Sequence, residues 1–343
     1  MNITVLFTGG TIGSESNGTY VDVCYNTTEP LFKYYYDTCS KCSVHFNKKT
    51  VLNTLSENMI GQHWIKIADE ARAASNGECD GIIITHGTDT LAYTAAFLSF
   101  VLSDIPFPIM LVSSDFPLEN PHANGYENFR VAVDFILNEH TKGVFVPIFD
   151  GNITHIHIAS RLMEAYPFTH HFMSIGNITY GTVRNNVFYH NDSPYNPTAE
   201  ELNENYFSIK NNNLANIMIV RPYPDLDYNC INLANKPNAI LHGLYHSGTA
   251  CVCNEYQKLN ILNFAEKCKQ ENIDIYAAPF DTRNSPYLST KEMVDSGIKI
   301  LEDISLETAY IKLKIAYGLW NSKHDILDFI DSMIVFEKLI KRD

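Results

Sequence analysis

Short apolar runs and helical patterns alternate along the first two-thirds of the chain. Runs rich in β-branched and other apolar residues predict strands over 3–7, 81–85, 108–114 and 143–149. Apolar residues that recur at a helical period predict helices over 56–76, 91–102 and 126–137. Strands that alternate with helices in this way are typical of a parallel sheet with crossover helices.

A polar stretch over 191–213, rich in Asn, Asp, Pro and Ser, is the clearest break in composition and predicts a linker between domains. Beyond it, the patterns predict strands over 216–220, 239–244 and 273–278 and helices over 256–270, 290–297 and 306–317. The amphipathic segment 325–340 predicts a last helix. We therefore predict an α/β fold with a larger N-terminal parallel-sheet domain over 1–190 and a smaller C-terminal α/β domain over 214–343.

Composition and charge narrow the class of protein. The chain has 343 residues, of which 45% are hydrophobic, and this suffices for a buried core in about two domains. A net charge of -14 repels nucleic acid and anionic lipid, so we expect a small-molecule substrate, no nucleic acid and no membrane. The sequence starts without a basic and apolar export signal and lacks an apolar run long enough for a membrane span. We expect a cytoplasmic protein.

The eight cysteines are too sparse for a disulfide scaffold and are expected to be thiols. Cys39 and Cys42, together with Cys251 and Cys253, offer a candidate zinc clamp. Their spacing departs from that of structural zinc pairs, and no histidine completes a standard pattern. We therefore expect no metal, and no cofactor.

Two loops that directly follow predicted strands carry the candidate chemistry, because ligand sites in open α/β sheets lie at the carboxyl ends of strands. The first loop, over 8–13, holds three glycines and two threonines. A dinucleotide-binding loop is an alternative, but Thr8 stands in the place of its first glycine. A P-loop is excluded because the chain has no Gly-Lys-Ser or Gly-Lys-Thr, whereas a turn without chemistry stays open.

The second loop, over 85–90, places Thr88, Asp89 and Thr90 beside Gly87 at another strand end. A threonine hydroxyl is a weak nucleophile that needs a neighbouring base or a polarising hydrogen bond. Three roles are open for Asp89: accepting hydrogen bonds, binding a substrate ammonium group, or capping the helix predicted from Leu91. For each of these residues alone, helix capping is the stronger interpretation.

Together the two loops resemble the two signature motifs of bacterial-type L-asparaginases of the cytoplasmic, type I-like class, in sequence, order and separation. The resemblance covers nearly the whole chain and includes 306–313, which is similar to a late helix of that family. It implies hydrolysis of L-asparagine to L-aspartate and ammonia through an acyl-enzyme, with L-glutamine as a second candidate substrate. It also implies a homodimer or homotetramer.

The resemblance implies roles for four residues in the chemistry. Thr11 corresponds to the family's nucleophile, and Tyr20 to the tyrosine that orients and activates it. Thr88 corresponds to the second catalytic threonine. Asp89 corresponds to the carboxylate that holds the α-amino group of the substrate.

The resemblance also implies substrate-binding positions. Ser56, followed by Glu57, corresponds to the position that binds the substrate α-carboxylate. The predicted helix begins there, and a helix N-terminus suits an anion. Ser114, at the end of a predicted strand, corresponds to the position whose backbone helps to bind the amide oxygen.

The chain departs from the family's pattern at Glu164, which stands where the family normally has a lysine that pairs with the second threonine and the aspartate. Like-charge repulsion beside Asp89 would favour one protonated carboxyl group, so Glu164 is a candidate acid or base unless it points away. The segments 122–125 and 245–250 also depart, which affects site closure and subunit contacts. We expect a catalyst with altered rate, pH optimum or amide specificity.

Two alternatives to an asparaginase stay open. An asparaginase-like subunit of a tRNA-dependent amidotransferase would supply ammonia to a partner, but the acidic charge and the expected lack of an added N-terminal domain argue against it. A non-catalytic relative would bind an amino acid without turnover, and Glu164 favours that alternative.

Overall fold

The computed structural model describes residues 1–16, 18–23, 28–39, 43–169, 171–205, 207–209 and 213–342. The chain divides into two compact units. The first consists of Met1–Lys210, Ile334–Phe336 and Lys341–Asp343, and the second of Asn211–Met333 and Glu337–Ile340. The domain and linker bounds drawn from the sequence stay a prediction, and the range 191–213 contains a short helix.

Strands and helices alternate in the first unit. Its strands are β1 (Asn2–Gly9), β2 (Ser14–Ser16), β3 (Val21–Val23), β4 (His45–Thr54), β5 (Gly81–Thr85), β6 (Pro108–Val112), β7 (Gly143–Phe149), β8 (Thr154–Ile158), β9 (Gly181–Arg184) and β10 (Val187–His190). Its helices are α1 (Thr28–Thr38), α2 (Gly61–Ser75), α3 (Leu91–Val101), α4 (Gly125–Asn138) and α5 (Ala199–Glu204).

The main sheet of the first unit has the strand order β10-β9-β8-β7-β6-β5-β1-β4. The strands from β4 to β7 run parallel, whereas β8, β9 and β10 each pair antiparallel with their neighbours. The turn from Asp150 to Ile153 between β7 and β8 is too short for a crossover, so the two strands must be antiparallel. The predicted α/β class is confirmed, and the sheet is mixed.

The centre of this sheet is completely buried. Every residue of β5 and of β6 is buried, and α3 is buried at all but one of its positions. Strands that are covered on both faces consist of continuous apolar runs rather than alternating ones. This burial explains why the predicted bounds of β5 agree with the structure.

The second unit contains a smaller parallel sheet. Its strands are β11 (Ile217–Val220), β12 (Ala239–Gly243), β13 (Asp274–Phe280) and β14 (Lys299–Glu302), which pair in that order. All three strand pairs are parallel. Its helices are α6 (Ile261–Gln270), α7 (Leu288–Asp295), α8 (Leu306–Leu319) and α9 (Lys323–Asp331). This agrees with the predicted smaller α/β region.

Two predicted helices begin too early. The helix predicted over 56–76 starts only at Gly61, after a short 3-10 turn at Ser56–Asn58 and extended backbone at Met59 and Ile60. The helix predicted over 256–270 starts at Ile261 after a second such turn at Gln257–Leu259. A 3-10 turn before a helix has nearly the same apolar spacing as the helix itself, so periodicity cannot separate the two.

The last predicted helix, over 325–340, is too long. α9 ends at Asp331, and Phe336 has a φ of 58°, which no α-helix contains. Instead, Lys312 of α8 pairs with Glu337 at 2.5 Å between Nζ and Oε1, and the two side chains are 1% and 0% exposed. Val335 and Leu339 of this tail are also buried, so the tail packs against the protein without forming a helix.

Candidate functional site

Four loops at the carboxyl ends of neighbouring parallel strands form the candidate site of the first unit. In sheet order, β4 leads to Ser56, β1 to Thr11, β5 to Thr88 and Asp89, and β6 to Ser114. The four strands are consecutive and parallel, so these residues meet at one edge of the sheet. Ligands of open α/β sheets bind at this edge.

The first two loops meet through their glycines. A Cβ atom at Gly10 would lie 2.2 Å from the backbone nitrogen of Gly87 and 2.5 Å from its Cα. Gly10 also has a φ of 76°, and its N–H donates a hydrogen bond of 2.9 Å to the carbonyl of Thr54 at the end of β4. Only a residue without a side chain fits here, so the loop of Thr11 lies directly against the loop of Thr88.

Side-chain hydrogen bonds connect the strand ends below this contact. The hydroxyl of Thr8 donates to the carbonyl of Thr85 at 2.5 Å, and the N–H of Thr8 donates to the Thr85 hydroxyl at 3.3 Å. Both threonines are buried. The pairing keeps β1 and β5 together up to the point where their loops begin.

Ser56 and Asp89 form the polar centre of the site. The Ser56 hydroxyl lies 3.2 Å from Oδ2 of Asp89 and accepts a hydrogen bond of 3.2 Å from the Asp89 N–H. The hydroxyl of Thr90 donates to the carbonyl of Ser56 at 2.8 Å. Ser56 is buried and Asp89 is exposed, whereas Glu57 points to the exposed surface. The predicted helix N-terminus at Ser56 is wrong, because Ser56 opens only a 3-10 turn.

The two threonines with implied catalytic roles are accessible. Thr11 begins the 3-10 turn Thr11–Gly13, and both Thr11 and Thr88 are half-buried. Tyr20 directly precedes β3 and is 63% exposed. Since β3 packs against the turn of Thr11, the chain at Tyr20 is anchored beside that turn.

His86 supports the second loop from inside, a role that sequence reasoning missed. Its ring is fully buried, with Nδ1 2.8 Å from the carbonyl of Gly87 and Nε2 2.9 Å from the Thr94 hydroxyl. Burial lowers the pKa of His86 to about 4, so the ring is neutral near pH 7. The neutral ring donates to Gly87 and accepts from Thr94. Its position directly before Gly87 at the end of a buried strand was the available signal.

Ser114 follows β6 and is completely buried. Its hydroxyl donates to the carbonyl of Phe116 at 2.6 Å and accepts from the N–H of Gly125 at 3.2 Å. A Cβ at Gly125 would clash with Ser114, so this glycine permits the close approach of α4. Ser114 therefore fixes the shape of its loop with its side chain.

Glu164 lies in the segment that follows β8 and contacts the first turn of α3. The turn Ala159–Arg161 packs against α3, and the chain then continues to Glu164, whose Oε1 accepts a hydrogen bond of 2.5 Å from the hydroxyl of Tyr93. Tyr93 lies in the first turn of α3, four residues after Asp89. The N–H of Met163 bonds to the carbonyl of Met173, which anchors the chain beside Glu164. No local pattern in the sequence marks Tyr93 as a site residue, because its partner Glu164 is distant along the chain.

Among the residues that the structure describes, no group of three or more His, Cys, Asp or Glu side chains is arranged to hold a metal ion. Cys42 of the candidate zinc clamp lies outside the described residues. None of the helices in the same ranges is long and apolar enough to span a bilayer.

The chain is similar to a known protein family and to several known proteins. Residues 2–195 match the family described as "Asparaginase, N-terminal". The chain is 25% identical to a glutamyl-tRNA(Gln) amidotransferase subunit of Methanosphaera stadtmanae over 96% of this chain and 75% of that one. It is 35% identical to the corresponding subunit of Thermococcus kodakarensis, over 40% of this chain and only 31% of that one.

Solved structures show the same fold. The thermostable L-asparaginase from Thermococcus kodakarensis superposes with a TM-score of 0.81 at 23% identity, over 98% of this chain and 99% of that one. L-asparaginase I from Vibrio cholerae gives a TM-score of 0.79 at 20% identity, over 99% of both chains.

Proposed function

The chain belongs to the asparaginase family, and from this premise we propose that it hydrolyses the side-chain amide of L-asparagine to L-aspartate and ammonia, with Thr11 as the nucleophile. The observation that carries the proposal is the backbone contact between Gly10 and Gly87. This contact supports the proposal, because it brings the loop that carries Thr11 against the loop that carries Thr88 and Asp89. A positioned nucleophile and a charged anchor are what acyl transfer requires.

In the proposed reaction, the Thr11 oxygen attacks the amide carbon of the substrate while Tyr20 orients and activates the hydroxyl. The C–N bond then breaks, the nitrogen leaves as ammonia after gaining a proton, and an ester joins Thr11 to the aspartyl group. Water attacks this ester with help from Thr88, which releases L-aspartate and restores the Thr11 hydroxyl. Splitting the reaction into two acyl transfers lowers each barrier.

Substrate recognition in this proposal uses the Ser56–Asp89 pair. Asp89 binds the α-ammonium group of the substrate, and the hydroxyl of Ser56 together with the backbone of Glu57, whose side chain is exposed, borders the place of the α-carboxylate. The hydrogen bonds between Ser56 and Asp89 support this arrangement, since each group fixes the other before substrate arrives. The backbone at Ser114 contributes to binding the amide oxygen.

Release of ammonia from L-asparagine and L-glutamine across about pH 5 to 9 tests the proposal, with Thr11→Ala, Thr11→Ser and Ser16→Ala as variants. We expect Thr11→Ala to reduce kcat by about 10³-fold or more and Thr11→Ser to retain partial activity, because only the serine keeps a hydroxyl. The exposed Ser16 is the control and should have no effect. Added hydroxylamine should capture the acyl group as aspartyl hydroxamate. Absence of ammonia from both amides would refute the proposal.

A second candidate function is supply of ammonia within a tRNA-dependent amidotransferase. Relatives that are subunits of glutamyl-tRNA(Gln) amidotransferases match nearly the whole chain, which supports this candidate. The net charge of -14 disfavours direct contact with tRNA, so a partner protein would hold the nucleic acid. An increase in ammonia release on addition of glutamyl-tRNA(Gln) and partner subunits would favour this function over a free-standing asparaginase.

A non-catalytic amino-acid-binding role is the third candidate, because Glu164 stands where the family normally has a lysine. Calorimetry that shows binding of L-aspartate, together with no hydrolysis of L-asparagine, would favour it. Assembly as a homodimer or homotetramer and a cytoplasmic location are further proposals from the resemblance. Light scattering on the purified protein tests the assembly.

A further inference from the structure

A second cavity lies in the second unit, at the carboxyl ends of the parallel strands β11 and β12. It has a volume of about 550 Å³. The loop after β11 contributes Tyr223 and Tyr228, and the loop after β12 contributes Tyr245 and Cys251. Ligand pockets of several hundred Å³ at this edge of a parallel sheet, lined mainly by aromatic and apolar groups, are the usual binding sites of α/β folds.

The tyrosines of this cavity divide into one that belongs to the core and three that do not. Tyr228 is buried, stacks on Phe264 with ring centroids 4.8 Å apart, and bonds to His242 through its hydroxyl. The other three, Tyr223, Tyr245 and Tyr256, are 57%, 40% and 57% exposed. Their rings contribute little to the buried core, so folding alone does not account for three tyrosines around one cavity.

The backbone holds each exposed tyrosine in place. The carbonyls of Tyr223, Tyr245 and Tyr256 each accept a hydrogen bond from the N–H three residues further on, at 3.1, 2.7 and 2.8 Å. Each tyrosine therefore opens a closed turn. Asp227 accepts a hydrogen bond of 3.0 Å from the N–H of Asn229 within its own loop, and its ion pair with Lys258 at 3.3 Å joins this loop to the one after β12. A cavity with a fixed backbone loses little entropy when a ligand binds.

We propose that this tyrosine cavity, lined by Tyr223, Tyr228, Tyr245, Tyr256 and Cys251, binds a small molecule with a planar aromatic ring. A flat ring stacks against tyrosine faces or meets their edges, and a saturated ring of equal size cannot make these contacts as well. The cavity lies within the second unit, and although Tyr245 belongs to the segment 245–250, no residue of the cavity has a role in the proposed amide hydrolysis. Either proposal can therefore fail without the other.

The thiol of Cys251 reports directly on occupancy of the cavity. Cys251 is exposed in the cavity wall, and Cys253 is exposed two residues further on but does not line the cavity. The whole protein is treated with N-phenylmaleimide or N-cyclohexylmaleimide, and the labelling rate at each cysteine is followed by peptide mass spectrometry. The ratio of the two rates at Cys253 corrects for the different intrinsic reactivity of the reagents.

We expect the preference for the phenyl reagent to be about three- to tenfold larger at Cys251 than at Cys253, which corresponds to one or two ring contacts. The double variant Tyr223→Ala and Tyr256→Ala should abolish this excess preference. Tyr287→Ala, at an exposed tyrosine outside the cavity, should leave it unchanged.

Three results would overturn the proposal. The first is an equal preference at both cysteines. The second is an excess preference that survives removal of Tyr223 and Tyr256. The third is labelling of Cys251 that slows as the protein concentration rises, since that would mean that a second copy of the chain covers the cavity.

Discussion

The two units differ in what they place at the carboxyl ends of their parallel strands. In the first unit, the backbones of Gly10 and Gly87 approach so closely that a single Cβ atom has no space. In the second unit, the tyrosine cavity is bordered by side chains, and the loops that carry them close through their own turns. A site formed by backbone depends on the absence of side chains, whereas a site formed by rings can lose a ring without a change of fold.

The change Gly10→Ala should have the largest effect. The new Cβ would lie 2.2 Å from the backbone nitrogen of Gly87, and a φ of 76° disfavours alanine as well. Because the two loops must separate, we expect kcat/KM for ammonia release from L-asparagine to fall about 10³-fold or more, equivalent to about 4 kcal/mol.

Gly151→Ala is the matched control for this change. Gly151 also has a positive φ, of 96°, but a Cβ there meets no atom within 4 Å. It therefore carries the backbone strain without the clash and should lower stability slightly while kcat/KM stays within about threefold of the unchanged protein. Equal losses of activity in both variants would show that strain, and not loop contact, dominates.

The buried centre of the fold follows from the sequence because apolar patterning and burial coincide there. β5 agrees with its predicted bounds, and α3 ends one residue before its predicted end. The patterns do not predict β4, because it is an edge strand in which only Val51 is buried, so its sequence lacks the alternation of a half-buried strand. The tail after α9 was misassigned because a buried pair between Lys312 and Glu337 cannot be read from local spacing.

The candidate site was predictable to a similar extent. Within each of the two loops, the glycines and threonines are adjacent in sequence and directly follow a predicted strand. The two motifs therefore predict that these residues lie at strand ends. The partners of Glu164 and Ser56 depend on which strands become neighbours, so no local pattern predicts the hydrogen bond between Glu164 and Tyr93. No local pattern shows either that Ser56 opens a 3-10 turn instead of a helix. The roles of Thr11, Tyr20 and Thr88 stay a prediction.

The next largest effect concerns His86, whose buried ring supports the loop of Gly87. It should make the free energy of unfolding depend on pH. The pKa of His86 is about 4 in the folded protein because of burial and about 6.5 in an unfolded chain. Below pH 6.5 the unfolded chain gains a proton that folded His86 does not, so stability falls with pH down to about 4. The slope is about 1.4 kcal/mol per pH unit, or about 3 kcal/mol in all.

Urea unfolding between pH 7 and 4 measures this contribution in the unchanged protein and in His86→Asn. The variant should be less stable at pH 7 and should lose stability less steeply on acidification. His122→Asn, at an exposed position, should keep the original slope. Identical slopes in all three proteins would contradict a neutral buried His86.

A smaller effect should follow from Tyr93→Phe. The change removes the hydrogen bond of 2.5 Å to Glu164 and almost no volume. Hydrogen bonds to charged groups contribute about 1.5 to 3 kcal/mol, and the lower end of this range corresponds to the loss of about tenfold in kcat/KM that we expect if Glu164 acts in the reaction. Glu164→Gln should give a loss of similar size, and the double variant should lose no more than either alone. Full activity in Glu164→Gln would place Glu164 outside the mechanism, and full activity in Tyr93→Phe alone would show that Tyr93 does not position it.

The smallest effect belongs to the second unit, where Tyr223→Ala should change the free energy of unfolding by about 0.5 kcal/mol or less. Tyr223 is more than half exposed, and its turn is closed by backbone atoms that alanine retains. Tyr228→Ala is the matched comparison in the same cavity, and should cost about 3 to 5 kcal/mol because its ring is buried against Phe264. Urea unfolding, monitored by hydrogen exchange of the amides in β11 and β12, measures the free energy of unfolding of both variants. A loss at Tyr223 as large as that at Tyr228 would mean that the exposed rings hold the loops together, and the contrast between a backbone-formed site and a ring-formed site would then fail.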